Sequence, residues 1–408
     1  MTAQRNMDRE ARAILIANDR GGYTIPTEGL YPYQWNWDSA FAALGFATFN
    51  IERAWEELET LFSGQWSDGM VPHIIFHKPD PGYFPGADVW GGTGPIPSSG
   101  SSQPPIAPSF ARMIYNLDPK VGLPRIKVLF PKMVAWVDWY IAWRSHQGAI
   151  CTTHPWETGR DNAPDWDTAL ALIDPDDVGP YERRDLGHVD AEMRPKKYDY
   201  DRYIWLVQLG NRIEWDLTAW KDQSPFRVAD PTLTFTLMRA VRDLIAVAAE
   251  IGGDVTNLES QLFALEGGAE TLWNEELGSY DSRLVSSNAF TKCTSNASFL
   301  CWYGGLEDQR ALPSLNKTLA TVPYPVPSHD PSSAKFDAKR YWRGPSWAIM
   351  NMLIGTGLTE QGHPQGETIR LATQKLIRDY GFAEYYDPMT GSPAGGSSFT
   401  WTAAVWLT

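Results

Sequence analysis

The sequence has little cysteine, little histidine and no long apolar run, and each shortage closes a class of function. Three cysteines in 408 residues (Cys151, Cys293 and Cys301) lack metal-ligand spacing and, being odd in number, form no complete disulfide set. A reducing, cytoplasmic setting is therefore expected. The seven histidines show no HExxH or similar metal spacing. His188, beside Asp185 and Asp190, reads as a loop hydrogen-bonding residue, and His73 and His77 sit on an extended stretch that points both to one face without a third ligand. No metal site is therefore expected. No apolar segment is long enough to span a bilayer, and the opening MTAQRNMDREARAILIAND alternates charge with apolar residues, as a first helix does and a signal peptide does not.

Basic residues are in deficit as well. Against 49 Asp and Glu stand 35 Lys and Arg, a net charge of -14 that repels phosphate backbones and anionic membranes, so neither nucleic acid nor a membrane is an expected partner. A P-loop, a dinucleotide fingerprint and a G-x-S-x-G elbow are all missing. The glycine-rich stretches 91–94 and 391–396 read instead as mobile loops, and the sequons at Asn296 and Asn316 as chance matches. Oligomeric state is not legible, and a homo-oligomer stays open.

Aromatic residues are abundant: 19 Trp, 17 Tyr and 16 Phe. Many flank carboxylates, amides and glycines in loop-like stretches such as YPYQWNWDSAF and HPWETGRDNAPDWD, where an indole face can stack on a sugar as readily as in a core. Between these stretches the periodicity is helical. Ile51, Ala54, Trp55, Leu58, Leu61 and Phe62 recur at three and four behind Asn50, a candidate N-cap, and similar patterns cover 124–144 and 231–251, the last bounded by Pro231 and Gly252. Helices are also predicted at 36–47, 108–117, 203–219, 256–274, 296–303, 345–356, 366–379 and 399–408. Strand alternation is scarce, which gives a nearly all-α chain. Five long segments, 63–107, 145–201, 276–295, 320–344 and 381–398, lie between helices. Long loops in a compact domain are usually functional, so one domain over 1–408 is expected to present a loop-built site, with its insertions around 63–107 and 145–201.

Acids concentrate among Trp, Asn and Gly at Asn36-Trp37-Asp38, Glu157-Thr158-Gly159-Arg160-Asp161-Asn162 and Glu384-Tyr385-Tyr386-Asp387. A carboxyl packed against aromatic faces loses hydration and becomes a proton donor near neutral pH, which suits glycoside cleavage by a carboxylate pair. Each also has a plainer reading. Asp38 would cap a helix starting at Ser39, Asp161 would close an Asx-turn and Glu384 would be a surface acid before a turn. Residue type alone leaves these alternatives open.

The ordered set YPYQWNWDSAF, WETGRDNAPDWD, YWRGPSW and FAEYYDPMTG followed by FTWTAAVWL resembles glycoside hydrolase family 63. GQWSDGMVPHIIF, YFPGADVW, SSQPP and RRDLGHVDAEMRPKKYDYDRYIWL bring it nearer to that family's bacterial glucosylglycerate and mannosylglycerate hydrolases. The resemblance implies an (α/α)6 barrel and an inverting α-glycoside hydrolase that acts on a small polar glycoside without a cofactor. It implies Asp161 as general acid and Glu384 as general base. Tyr31, Trp35, Trp37, Asp38, Gln103, Gly159, Tyr341 and Trp342 would line the sugar subsite, and Arg194 and Tyr200 would reach a glycerate carboxylate. The pattern departs at Ser397-Ser398, where relatives often carry glutamine, and in the Gly- and Ser-rich run before Gln103. An α-glucosidase acting on a disaccharide, an oligosaccharide or glucosylglycerol is the alternative. A non-catalytic carbohydrate-binding protein, or a sugar isomerase or lyase on the same barrel, is more remote.

Overall fold

The computed structural model describes residues 2–408, with side chains from residue 7 onward. Six helical segments form an inner ring: Asn36–Ala47, Ala107–Leu117, Pro231–Ile251, the short 3-10 turn Asn296–Phe299, Ala348–Glu360 and Thr400–Leu407. Each packs against the next, and the last against the first. An outer helix follows each of the first five in the chain, at Ile51–Ser63, Pro119–Arg144, Thr256–Glu270, Leu312–Thr321 and Gln365–Tyr380, while Thr2–Asn18 covers the sixth. The result is the expected all-α (α/α)6 barrel.

Burial explains the two layers. The inner helix Asn36–Ala47 buries every residue from Asn36 to Phe46, so it has no polar face to give to water. Its outer neighbour Ile51–Ser63 buries an apolar stripe, Ala54, Trp55, Leu58, Leu61 and Phe62, together with the paired Arg53 and Glu57, and turns the rest outward. Asn50 caps that helix as predicted, accepting from Arg53 N at 3.1 Å. Inner helices approach closely: a Cβ on Gly45 would stand 2.8 Å from Ala404 Cβ, so glycine permits the ring to close there.

Several boundaries differ from the sequence reading. The helix expected from 124 begins at Pro119, because the Asp118 side chain accepts from Lys120 N and Val121 N and so starts it earlier. The single helix expected over 203–219 is two, Lys197–Arg212 and Leu217–Gln223. Glu214 and Trp215 break it at φ 53° and 57°, which folds the Trp215 ring onto Trp90 and Trp220. The helix over 256–274 stops at Glu270, and Trp273–Asn274 pairs with Ser279–Tyr280. Only one 3-10 turn forms where 296–303 was expected to be helical. Leu312–Thr321 was missed since it buries only Leu315 and Thr318, too narrow a stripe to read. Strands are short, the largest sheet joining Ser145–His146, Ala149–Thr152, Val228–Ala229 and Arg283–Leu284. No described helix is long and apolar enough to cross a membrane.

Candidate active site

Of the acids in the aromatic-rich segments, the structure gives several a structural partner. Glu157 is fully buried, paired with Arg144 at 2.9 Å and accepting from Thr153 N at 2.8 Å. Asp387 caps its own turn by accepting from Met389 N and Thr390 N. Asp38, Asp161 and Glu384 instead line one pocket. Asp38 does not cap a helix at Ser39, because that helix already begins at Asn36.

Asp161 is placed by its neighbours. Gly159 ends the 3-10 turn Pro155–Thr158 at φ 70°, and a Cβ there would fall 2.4 Å from the Trp37 ring, so glycine is required for this approach. Arg160, fully buried, donates to Asp165 at 3.2 Å, Asp230 at 2.9 Å and Thr232 at 2.9 Å, which anchors the backbone behind the acid. Tyr203 Oη donates to Asp161 O at 2.6 Å. Burial pushes the Asp161 carboxyl up to about 7, against the pull of Arg194 and with help from the charge of Glu384. Burial also drives Asp38 well above the usual carboxylate range, against the hydrogen bond from its own N–H and with the charges of Glu384 and Asp161 adding to it.

Glu384 is held on every side. Its backbone N donates to Gly396 O at 2.8 Å, Trp401 Nε1 donates to its carbonyl at 3.1 Å, and Gly396 N donates to Oε2 at 2.8 Å. A Cβ on Gly395 would lie 2.3 Å from Oε2. The glycines of 391–396, expected as a mobile loop, thus belong to a hairpin, Tyr385–Tyr386 with Pro393–Ala394, that closes on the carboxylate. Tyr31 Oη donates to Oε1 at 2.9 Å, and Arg194 Nη1 lies 3.3 Å from the same oxygen. Tyr31 was expected to meet the sugar, and here it also supports Glu384.

The remaining inner wall is built from the segment 34–38 and what it touches. Gln34–Trp35 pairs with Ile74–Ile75. Trp37 N donates to Gln103 Oε1 at 3.2 Å, which leaves the Gln103 amide NH2 for the pocket. Beneath this segment the fully buried Glu57 accepts from Thr24, Gln34, Ser39 and Arg53, so every oxygen of an otherwise costly charge is engaged. Tyr341 completes the wall at φ 41°.

A barrel of helix pairs, paired carboxyls in an aromatic pocket and an arginine beside them direct the comparison with known proteins. Residues 31–402 match the model of the mannosylglycerate hydrolase MGH1-like glycoside hydrolase domain. This chain belongs to that family of glycoside hydrolases. It is 42% identical to mannosylglycerate hydrolase MGH1 of Selaginella moellendorffii, over 97% of this chain and 84% of that one. It is 32% identical to a glucosylglycerate hydrolase of Mycolicibacterium hassiacum, over 97% and 96%. A crystal structure of the family 63 mannosylglycerate hydrolase of Thermus thermophilus, in complex with Tris and D-glycerate, superimposes with a TM-score of 0.95 at 40% identity, covering 98% of this chain and 99% of that one.

In this glycoside hydrolase, eleven of the twelve residues named from the sequence line the same pocket: Tyr31, Trp35, Trp37, Asp38, Gln103, Gly159, Asp161, Arg194, Tyr200, Tyr341 and Glu384. Trp342 does not. It is 1% exposed and stands one layer back, stacked on Trp347 with ring centres 3.9 Å apart and tilted against Trp37. The reading missed Trp156, Tyr83, Phe84, Arg183, Arg184, Asp185, Trp401 and His73, all of which line the pocket. Arg183 and Arg184 carried a signal, a pair of cations in an insertion of an acidic protein. Arg184 pairs with Asp80 and donates to Gly82 O at 3.1 Å, while Arg183 lies 3.9 Å over the Tyr200 ring. With Phe84 stacked on Tyr181, these contacts join the insertions 63–107 and 145–201 along the outer wall.

Two further histidines weighed in the sequence have local partners. His77 Nε2 lies 2.7 Å from Gln34 Oε1, and His188 Nδ1 3.0 Å from Arg184 O. Arg343 pairs with Asp167 at 2.8 Å. Asn296 is fully buried, so its sequon cannot carry a glycan.

Proposed function

We propose that the protein hydrolyses a small α-hexosyl glycerate by inversion, with Asp161 as general acid and Glu384 as general base. The carrying observation is that Asp161, raised to about 7 by burial, and Glu384, fixed by Tyr31 and Gly396, face one pocket with Arg194 beside them. The acid protonates the glycosidic oxygen as its bond to the anomeric carbon breaks. Glu384 accepts a proton from a water that attacks that carbon from the opposite face, giving a free hexose of inverted configuration and the aglycone alcohol. Trp35, Trp37, Asp38 and Gln103 hold the sugar. Arg194 and Tyr200 receive the aglycone carboxylate, since a guanidinium offers it paired hydrogen bonds in a chain whose mean charge repels anions. Relatives named for mannosylglycerate and for glucosylglycerate support both hexoses as candidates.

One observation favours a second reading. Arg194 already faces two carboxylates, Glu384 and Asp185, so a neutral aglycone, as in glucosylglycerol, would leave that pairing intact. Measuring sugar release from glucosylglycerate, mannosylglycerate, glucosylglycerol and small α-linked disaccharides tests both, and turnover confined to disaccharides would sink the glycerate reading. The pocket draws on residues from Pro26 to Trp401, which supports one catalytic domain. Three buried, unpaired cysteines support a reducing, cytoplasmic setting.

A further inference from the structure

The pocket wall carries a ring that the reaction above does not use. His73 precedes the strand Ile74–Ile75, and its backbone is fixed on both sides, N donating to Ser101 O at 2.8 Å and O accepting from Asn36 N at 3.0 Å. The ring stacks on Trp156, 5.9 Å between centres, and tilts against Trp90 at 5.6 Å. Burial, with His154 near it, holds the imidazole far below its ordinary value, so the ring is neutral at physiological pH. One nitrogen is occupied: Nδ1 lies 3.0 Å from Ser99 Oγ, which also accepts from Ile74 N at 3.0 Å. The other, Nε2, bonds to no described residue and is not among the side-chain atoms sealed from solvent without a partner, while the residue lines the pocket.

The Ser99 hydroxyl can give its proton to His73 Nδ1 or to Ser101 O, 3.3 Å away. In the first case Nε2 carries the ring hydrogen and donates, and in the second it is bare and accepts. A hydroxyl satisfies either tautomer, being donor and acceptor at once, whereas a carboxylate or an ammonium satisfies only one. The neighbours point to the same ligand. Asn36, bonded to His73, leads directly into Trp37 and Asp38, and Trp37 N holds Gln103, so His73 belongs to the wall that carries the sugar-facing polar groups.

We propose that His73, through Nε2, hydrogen-bonds one ring hydroxyl of the hexose and so helps to set sugar specificity. The inference rests on the glycoside hydrolase reading of this pocket and adds a residue to it. The plain alternative is that His73 only anchors Ser99.

Two substitutions separate these roles, because a glutamine amide falls near the Nε2 position and an asparagine amide near Nδ1. Both are assayed with the parent hexosyl glycerate and its 2-, 3-, 4- and 6-deoxy forms, after thermal melts show folding. His73→Gln is expected to keep kcat/KM within about fivefold, and His73→Asn to lose about 30-fold. One deoxy substrate should lose about 30-fold on the wild type but no more than about threefold on His73→Asn, since the partner is already gone. Rescue by Asn and not Gln overturns the proposal, as do deoxy penalties that are the same in all three proteins. Should neither variant fold, a wild type that tolerates every deoxy substrate within about threefold overturns it too. Inactivity of the wild type on all parent glycosides would instead overturn the hydrolase reading beneath it.

Discussion

Arg194 and Glu384 meet inside the pocket, Nη1 lying 3.3 Å from Oε1, while Nη2 of the same guanidinium donates to Tyr31 Oη at 2.6 Å. Tyr31 in turn donates to Glu384 Oε1, so cation, phenol and carboxylate close a triangle. An arriving anion must compete for a guanidinium that is already engaged. In the proposed reaction, substrate binding and the arrangement about the attacking water would thereby be coupled through one side chain.

Arg194→Ala should therefore raise KM for an anionic glycoside at least about tenfold more than for a neutral one. Parallel Michaelis constants for glucosylglycerate and glucosylglycerol check this, and equal effects would remove the glycerate role. Because the Arg194 charge lowers Asp161, its loss should also move the basic limb of kcat/KM upward from about 7.

Asp161→Asn and Glu384→Gln should each reduce kcat by about a thousandfold or more, with product binding by calorimetry largely kept. Full turnover in either variant would exclude that residue. NMR of the first-formed anomer gives the stereochemistry independently, and an α-sugar from an α-glycoside would rule out inversion.

The same raised carboxyl has a stability consequence. Asp161 moves from 3.8 to about 7 on folding, so the folded state binds more protons between these values and stability falls as pH rises through that window. The penalty above pH 7 is on the order of 4 kcal/mol. Asp161→Asn should flatten this part of the curve in urea titrations and melt above the wild type at pH 8. An unchanged pH slope would refute the assignment.

Gly159→Ala should lose activity out of proportion to size. The added methyl meets Trp37 at 2.4 Å and needs a left-handed backbone, so either the acid or the sugar platform must move. A kcat loss of about a hundredfold with a lower Tm is expected. Arg160→Ala should act mainly on stability, leaving Asp165 and Asp230 buried without their cation, at about 3–5 kcal/mol in urea unfolding.

What the sequence disclosed depended on the range of the cause. Asn50 and the Pro231 to Gly252 helix were legible because caps and stripes are local. The split at Trp215 was not, since its cause is a stack on Trp90, which lies far off in sequence. Among the acids, composition could not separate Glu157 from Asp161, and only the Arg144 partner of the former does so. Motif order placed eleven pocket residues, whereas Trp342 failed because adjacency to Tyr341 in the chain does not put both rings on one surface. His73 was weighed only as a metal ligand, for its Ser99 contact has no signature in sequence.

The inner ring closes only when the helix Thr400–Leu407 packs against Asn36–Ala47, and Trp401 from that last segment also holds Glu384. During synthesis a ribosome would have emitted nearly the whole described chain before the pocket could be complete. A nascent or prematurely terminated polypeptide ending before residue 400 would expose inner helices with no polar face, making it a client for chaperones and not a weak enzyme. Catalytic output is thus a strict reporter of finished topology.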